Sequence, residues 1–355
     1  MSSPQHILVI RLSAPGDVAM TVPVLHSFQK RYPAVSLTVL TTKRLAPLFK
    51  GLKAAFFFAE TKAEHKGFAG LFTLFNQLNA AAGDRPIDAI ADLHNVLRSQ
   101  IIRRLYALKG VRTASIDKGR AGKKALTKKK TKVLKQLPSS FDRYRDVFRE
   151  LGFDFPYDFI SLYTQLPSLT SGIVSLTKEK NGIWIGIAPF AAYKEKMYPL
   201  DKMEETICEL RNKQGTKIIL FGSSSESTIL EGWQEKYNHV VNTAGKLTLE
   251  EELILLSHLD CMISMDSANM HFASLVNTRV ISVWGATHPF AGFMGWRQSL
   301  NDTVQIDLYC RPCSVFGNRR CYRGDWACMH LIAPAKIADK TLAIVNRNNA
   351  GSAGC

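Results

Sequence analysis

The stretch His6–Met20, HILVIRLSAPGDVAM, decides how the first half of the chain folds. His6 to Leu12 is a β-rich apolar run. It breaks into a turn at Ser13-Ala14-Pro15-Gly16-Asp17, and from Val18 to Tyr32 apolar residues recur at helical spacing. Outward from this unit the pattern repeats. Ser36–Thr41, Ala54–Phe58 and Ala89–Asp92 read as strands, and Gly67–Ala82 and Val96–Leu108 read as helices between and after them. Such a β-α-β rhythm predicts a parallel sheet with helices on both faces.

The middle of the chain differs. Asp117–Lys135 has few large apolar residues and reads as a loop or exposed helix, and Phe141–Leu151 reads as a helix closed by Gly152. Pro156–Lys180, with Pro167, Ser168, Ser171 and Gly172, is the linker candidate. The rhythm then restarts, with strands expected at Ile183–Ala188, Lys217–Phe221, Val240–Asn242, Cys261–Met265 and Arg279–Val283. Helices are expected at Asp201–Lys213, Glu226–Tyr237, around Leu249–Ser257 and from about Asn269. Two α/β domains follow, 1–168 and 178–340, joined so as to enclose a ligand cleft. Neither half carries G-x-G-x-x-G after its first strand, and no G-x-x-x-x-G-K-[ST] occurs. Dinucleotide redox chemistry and P-loop phosphoryl transfer are therefore poorly supported.

At 355 residues the chain is too long for one core of average size, and its 46% apolar and 21% charged residues are those of an ordinary globular protein. No run approaches the ~20 apolar residues that span a bilayer. The first apolar run, closed by Arg11 and Asp17, is no signal peptide, so the protein is expected on the side of the membrane where it was made. The net charge of +16 suits a polyanionic partner, and it is concentrated: between Lys118 and Lys135 nearly every second residue is Lys or Arg. Cys310, Cys313, Cys321 and Cys328 form a CxxC-x7-C-x6-C cluster. With no sign of export, reduced thiols or a small structural zinc site suit it better than disulfides.

The chemistry-bearing residues fall in loops that follow strands, where open α/β sheets bind ligands. Asp17 stands at the mouth of the first helix, a place for a catalytic acid or base and equally for a helix cap. Ser264-Met265-Asp266-Ser267-Ala268-Asn269-Met270-His271 follows a strand and opens a helix whose N–H groups favour a phosphate. There Asp266 and Ser267 suit a ribose or phosphate loop, and His271 is either a donor to phosphate oxygens or a core histidine. Thr287, in Gly285-Ala286-Thr287-His288-Pro289, adds a hydroxyl on the same edge. Lys194 and Lys196 precede Tyr198-Pro199-Leu200, and Gly222–Glu226 supplies a weaker contact signal. One half carries an acid and a basic face, the other several nucleotide-suited loops. That division is expected of an enzyme moving a group from a nucleotide-linked donor to an acceptor.

These residues resemble glycosyltransferase family 9, the heptosyltransferases of lipopolysaccharide core assembly, nearly end to end. The opening Ile7–Val18, continuing through Thr21–Leu25, is similar to the family's N-terminal signature. Asp88–Ser99, Asp117–Leu126, Lys196–Leu200, Met265–Ala273 followed by Val283–Pro289, and the cysteine-bearing tail Cys310–Met329 are similar to further family blocks. The chain departs from the family pattern at Ala268, where a glycine is usual, and at His288, where an acid is usual.

The resemblance implies a GT-B fold: two Rossmann-like domains with parallel sheets facing across a cleft. The N-terminal domain would hold the acceptor and the C-terminal domain the sugar nucleotide. It implies an inverting, metal-independent transfer of a sugar, heptose first, from a nucleotide-diphosphate donor such as ADP-heptose to a lipopolysaccharide inner-core acceptor, with no cofactor. Asp17 would be the base, and Lys196, Glu226, Asp266, Ser267, His271 and Thr287 would hold the donor.

The basic stretch, with Arg98, Arg103 and Arg104, would hold a phosphorylated glycolipid acceptor through Arg98, Arg120, Lys123 and Lys124. It would also rest on anionic headgroups, which places the protein in the cytoplasm, peripheral at the inner face of the membrane. A nucleic-acid partner is not expected, because Lys118–Lys135 has no aromatic residue to stack on a base. The alternatives are a hydrolase or epimerase acting on a sugar nucleotide, or a non-catalytic polyanion-binding protein.

Overall fold

The computed structural model describes residues 4–83, 85–211 and 215–352, the side chains of 348–352 excepted. The chain divides into two compact units, Met1–Lys118 with Pro138–Leu162, and Gly119–Leu137 with Tyr163–Cys355.

The first unit is built on five parallel strands, β1 (His6–Ile10), β2 (Ser36–Thr41), β3 (Ala55–Phe58), β4 (Ala89–Asp92) and β5 (Arg112–Ser115), in the order β3-β2-β1-β4-β5. β1 is central, Ile7 lying beside Leu37 on one side and Ala89 on the other, and every residue of it is buried. An apolar run without polar alternation is what a strand covered on both faces requires. The helix Gly67–Ala82 covers one face through Leu71, Leu74, Phe75 and Leu78, which recur at helical spacing and pack with Leu8, Ile10, Leu40 and Ile90. Each such side chain, fully buried, contributes about 1.5–3 kcal/mol.

The helix Ser140–Glu150 returns the chain to this unit and starts at a capping box. Ser139 Oγ accepts from Asp142 N at 3.1 Å, and Asp142 Oδ2 accepts from Ser139 N at 3.3 Å. Its Phe148 ring lies 4.8 Å from that of Phe28. The helical pattern expected from Val18 to Tyr32 is two helices, Pro15–Ala19 and Val22–Arg31. Pro23 cannot donate a backbone bond and sits instead in the first turn of the second helix. β5, Arg-Thr-Ala-Ser, carries no apolar pattern to announce it.

The second unit has six parallel strands, β6 (Ile183–Ala188), β7 (Thr216–Leu220), β8 (Val240–Asn242), β9 (Cys261–Met265), β10 (Val280–Val283) and β11 (Thr303–Val304), in the order β11-β10-β9-β6-β7-β8. Two helices share its core: Leu200–Leu210 inserts Met203, Ile207 and Leu210, and Pro334–Ser352 inserts Ile337, Ile344 and Val345. The former helix was expected to reach Lys213, which lies outside the described residues. Within the expected linker, Ser171–Thr177 is a helix capped by Thr170 Oγ1, which accepts from Ile173 N at 3.3 Å.

The basic run is a helix, Arg120–Leu126, followed by irregular chain, and it clusters with the second unit rather than with the first-half residues that precede it. Leu137 N donates to Phe290 O at 2.9 Å to hold its end. No helix among the described residues is long and apolar enough to cross a membrane.

Gly186, in the middle of β6, lies where a Cβ would overlap Leu259 Cδ1 and fall 2.5 Å from Met262 Sδ. Gly186→Ala is expected to destabilise the protein by about 1–3 kcal/mol through overpacking. Thermal unfolding checks this, and an unchanged Tm would contradict it.

Candidate functional site

In each unit the sheet starts at a central strand, builds outward on one side, then crosses to the other. The crossing point, where neighbouring strands feed loops to opposite faces, leaves a crevice beyond their carboxyl ends. In the first unit it lies between β1 and β4, in the second between β6 and β9.

Asp17 stands at the first crevice. The loop leaving β1 turns into the helix Pro15–Ala19 and carries Asp17 in its first turn. Arg11, buried just past β1, spans the switch point: its Nη2 pairs with Asp17 Oδ2 at 2.6 Å and its Nη1 donates to Leu93 O at 2.6 Å. Ala14 N makes a longer contact to the same Asp17 oxygen, 3.4 Å, so Asp17 also caps its own helix. Both contacts fall on Oδ2, and Oδ1 has no hydrogen-bond or ion-pair partner among the described residues. Tyr144 closes the far side, its hydroxyl donating to Asp17 O at 3.3 Å and its ring lying 5.7 Å from the Arg11 guanidinium.

The loop after β4 supplies a residue that the sequence pattern did not single out. His94 Nε2 lies 3.4 Å from Ser13 Oγ. Burial, reinforced by the charges of Arg11 and Lys118, pushes the imidazole down to about 4, so it is neutral at pH 7. Asp92 Oδ1 shapes that loop by accepting from His94 N at 3.0 Å and Asn95 N at 2.7 Å. Arg98 follows on the helix Leu97–Leu108, close enough for its charge to act on His94.

At the second crevice Lys196, after β6, pairs with Asp266, after β9, at 3.1 Å. Both side chains are nearly buried, at 13% and 6% exposure. The lysine stem is fixed by Gly317, where a Cβ would overlap Lys196 Cγ and Cδ. Ser267 starts the helix Ala268–Leu275, its hydroxyl 3.2 Å from that of Ser264, and His271 is buried one turn in. Ala268, at the first helical position, has ordinary right-handed backbone, so the methyl group in place of a family glycine meets no conformational obstacle.

After β10, Thr287 is wholly buried and its Oγ1 has no hydrogen-bond partner among the described residues. Arg311 ties this loop down, donating to Gly285 O at 2.5 Å, Thr287 O at 3.0 Å and Gln305 Oε1 at 2.9 Å. His288 Nδ1 accepts from Phe290 N at 3.1 Å, a bond that a carboxylate at this place would equally accept. Burial, with the Arg311 charge nearby, pushes His288 down to about 4. In the loop after β7, on the other side of β6, Glu226 caps its own turn, Oε2 accepting from Ser223 N at 2.7 Å.

The four basic residues expected at the acceptor are divided between the two units. Arg98 belongs to the unit that carries Asp17, whereas Arg120, Lys123 and Lys124 belong to the other. Lys123 is not a solvent-reaching lysine: it is buried, with Nζ 4.4 Å from the Phe293 ring centroid and 5.7 Å from that of Phe316.

Cys310, Cys313, Cys321 and Cys328 line one small cavity beside Arg311 and Trp326, and all four are free thiols. Burial raises Cys313 above the ordinary thiol range and Cys328 to about 11. Among the described residues no three or more His, Cys, Asp or Glu side chains gather into a set able to hold a metal ion. The buried Arg311 guanidinium shares the cavity with the four thiols.

A family model described as glycosyltransferase family 9 (heptosyltransferase) matches residues 75–321. The chain is similar to lipopolysaccharide heptosyltransferase 3 of Escherichia coli, 25% identical over 82% of this chain and 85% of that protein. A shorter stretch is 32% identical to lipooligosaccharide heptosyltransferase 2 of Haemophilus influenzae, over 23% of this chain and 25% of that protein. Among solved structures, E. coli ADP-heptose lps heptosyltransferase II superposes with a TM-score of 0.70 at 17% identity, covering 97% of this chain and 99% of that one. At that identity the likeness speaks for the fold, two Rossmann-like units of GT-B type.

Three histidines, His26, His94 and His288, are held near 4 against 6.5 for a free imidazole. Between those values the unfolded chain binds more protons than the folded one, so stability rises with pH across the window and is lost as pH falls. Calorimetry is expected to show Tm falling from about pH 6.5 to about pH 4, with a shallower fall in His94→Gln. A Tm flat across that range would overturn this account.

Proposed function

Because the chain belongs to glycosyltransferase family 9, the heptosyltransferase family, and is a glycosyltransferase, we propose that it moves a heptose from a nucleotide-diphosphate donor to a lipopolysaccharide inner-core acceptor, with inversion. ADP-heptose is the donor to try first. That reading is supported by the likeness to E. coli lipopolysaccharide heptosyltransferase 3 in sequence and to E. coli ADP-heptose lps heptosyltransferase II in fold. The observation that carries the mechanism is Asp17 at the first switch point, anchored through one oxygen by buried Arg11 and with the other oxygen unengaged among the described residues.

In the proposed step an acceptor hydroxyl oxygen attacks the anomeric carbon of the heptose. Its proton passes to Asp17 Oδ1 as the bond from the anomeric carbon to the diphosphate oxygen breaks on the opposite face. The new bond inverts the configuration, and the electron pair leaves with the nucleoside diphosphate. The Lys196 ammonium, aimed by Asp266, offsets the charge that develops on the leaving group, a role that elsewhere falls to a metal ion. Ser267, His271, Thr287 and Glu226 lie on the loops proposed to hold the nucleotide and sugar, and Arg98 on the helix proposed to meet acceptor phosphate. His94, neutral beside Ser13, adds no positive charge to compete for the carboxylate. Such a protein would work in the cytoplasm, peripheral at the inner face of the membrane that displays its lipid-linked acceptor.

Asp17→Asn removes the base and keeps the shape. Release of ADP from ADP-heptose in the presence of acceptor is expected to slow by about 10²–10⁴-fold, with donor binding by calorimetry unchanged. Near wild-type transfer in that variant would sink the role of Asp17, and equal ADP release without acceptor would make the protein a hydrolase.

Lys196→Met keeps the stem that packs on Gly317 and removes the charge. It is expected to lower kcat by about 10²–10³-fold, the scale seen when one charge-stabilising donor is lost. A change in KM alone would instead assign Lys196 to ground-state binding.

A further inference from the structure

The net positive charge is not spread over the molecule. Residues 119–137 carry eight Lys or Arg and no acid, and residues 309–325 carry four and a single acid, Asp325. Together these two segments hold eleven of the sixteen net charges. They are far apart in sequence, yet both belong to the second unit and meet there. Lys132 Nζ donates to Tyr309 O at 3.2 Å, and Lys129 Nζ sits 4.5 Å from the Tyr322 ring centroid. The lone acid of these segments is already paired with Arg323, 2.7 Å away, so neither segment supplies a carboxylate to neutralise the remaining cations.

Apolar side chains stand among the charges. Val133, Leu134, Tyr309 and Phe316 are all more than half exposed. This is the composition of a face that lies in a bilayer interface: lysines and arginines for the phosphates, aromatic and aliphatic groups for the acyl boundary. It suits nucleic acid less well. The Tyr322 and Tyr309 rings already carry Lys129 and Arg323 against them, and exposed Val and Leu offer a base no stacking partner.

We propose that this surface, built by Lys128–Lys130, Val133, Leu134, Lys135 and the loop bearing Tyr309, Phe316 and Arg319–Arg323, docks the protein on an anionic phospholipid bilayer. It rests on the peripheral location proposed above and names the face that makes the contact, which is carried by the second unit and not by the unit that carries Asp17. A basic residue at a membrane surface contributes about a tenth of the energy of a nanomolar complex, so several acting together hold a soluble domain while leaving it free to exchange.

The test is sedimentation of the full chain with vesicles of phosphatidylcholine alone or mixed with phosphatidylglycerol. Pelleting with the mixed vesicles alone is expected, and it should weaken steeply as sodium chloride is raised. Lys128→Glu, Lys129→Glu and Lys130→Glu combined should weaken it at least about a hundredfold. Val133→Ser with Leu134→Ser should weaken it about tenfold at unchanged charge. Both variants are matched to the parent by thermal unfolding, and the salt series on the unsubstituted protein stands if either fails to fold.

Equal pelleting with both vesicle types, or no response to either variant, would overturn the proposal. Displacement by inorganic phosphate at matched ionic strength would assign the surface to a phosphate ion. Tighter binding to single-stranded RNA, lost in the same variants, would assign it to nucleic acid. Vesicle binding needs no sugar transfer, so a protein that pelleted but released no nucleotide would refute the transferase reading and leave the docking surface standing.

Discussion

Each unit depends on a central strand paired on both sides by parallel neighbours, β1 by β2 and β4, and β6 by β7 and β9. A strand so placed has no exposed edge, and with helices packed on both faces it has no exposed side. The interior of the unit is therefore closed to chemistry. Polar side chains that must meet a ligand are confined to the loops where strands end, and the widest gap opens where the chain changes direction across the sheet. Arg11, Asp17 and His94 gather at one such gap and Lys196 and Asp266 at the other for this single geometric reason.

At both gaps a cation is set against a carboxylate, and burial decides which partner is presented. Arg11 is 8% exposed and Asp17 is 35% exposed, so the arginine is the anchor and the carboxylate is the partner that reaches solvent. In the Lys196–Asp266 pair both members are more deeply enclosed, and the less buried one is the lysine. A buried ion left without its partner is strongly destabilising. Each pair is thus held by its own electrostatics before any ligand arrives, which is the preorganisation that a developing charge requires. Arg311 is buried too, and its donors fix the carbonyls of the loop that carries Thr287.

The basic segment follows the opposite logic. Its lysines lie too close together to be buried as a set. One of them, Lys123, is enclosed against Phe293 and Phe316, and it pins the helix Arg120–Leu126 to the second unit. The remaining charges are left on the surface beside a second basic loop. A segment that follows the first sheet in sequence thereby becomes part of the second unit's face.

The sequence by itself determined the elements whose side-chain pattern is local. β2, β4, β6, β8, β9 and the helix Gly67–Ala82 coincide with their expected limits, because apolar period and run length are properties of consecutive residues. It also placed Asp17, Lys196, Asp266 and Thr287 on strand-exit loops. It was silent on β5 and β11, short strands made by their neighbours' open edges and not by their own residues. His94 and Arg311 carry no motif, and their roles come from groups distant in sequence: Ser13 for the first, the loop after β10 for the second. Tertiary structure alone moved Arg120, Lys123 and Lys124 to the second unit and brought aromatic rings to a basic stretch that contains none. Aromatic contact, burial and charge pairing depend on which residues meet in space, and adjacency in the chain does not specify that.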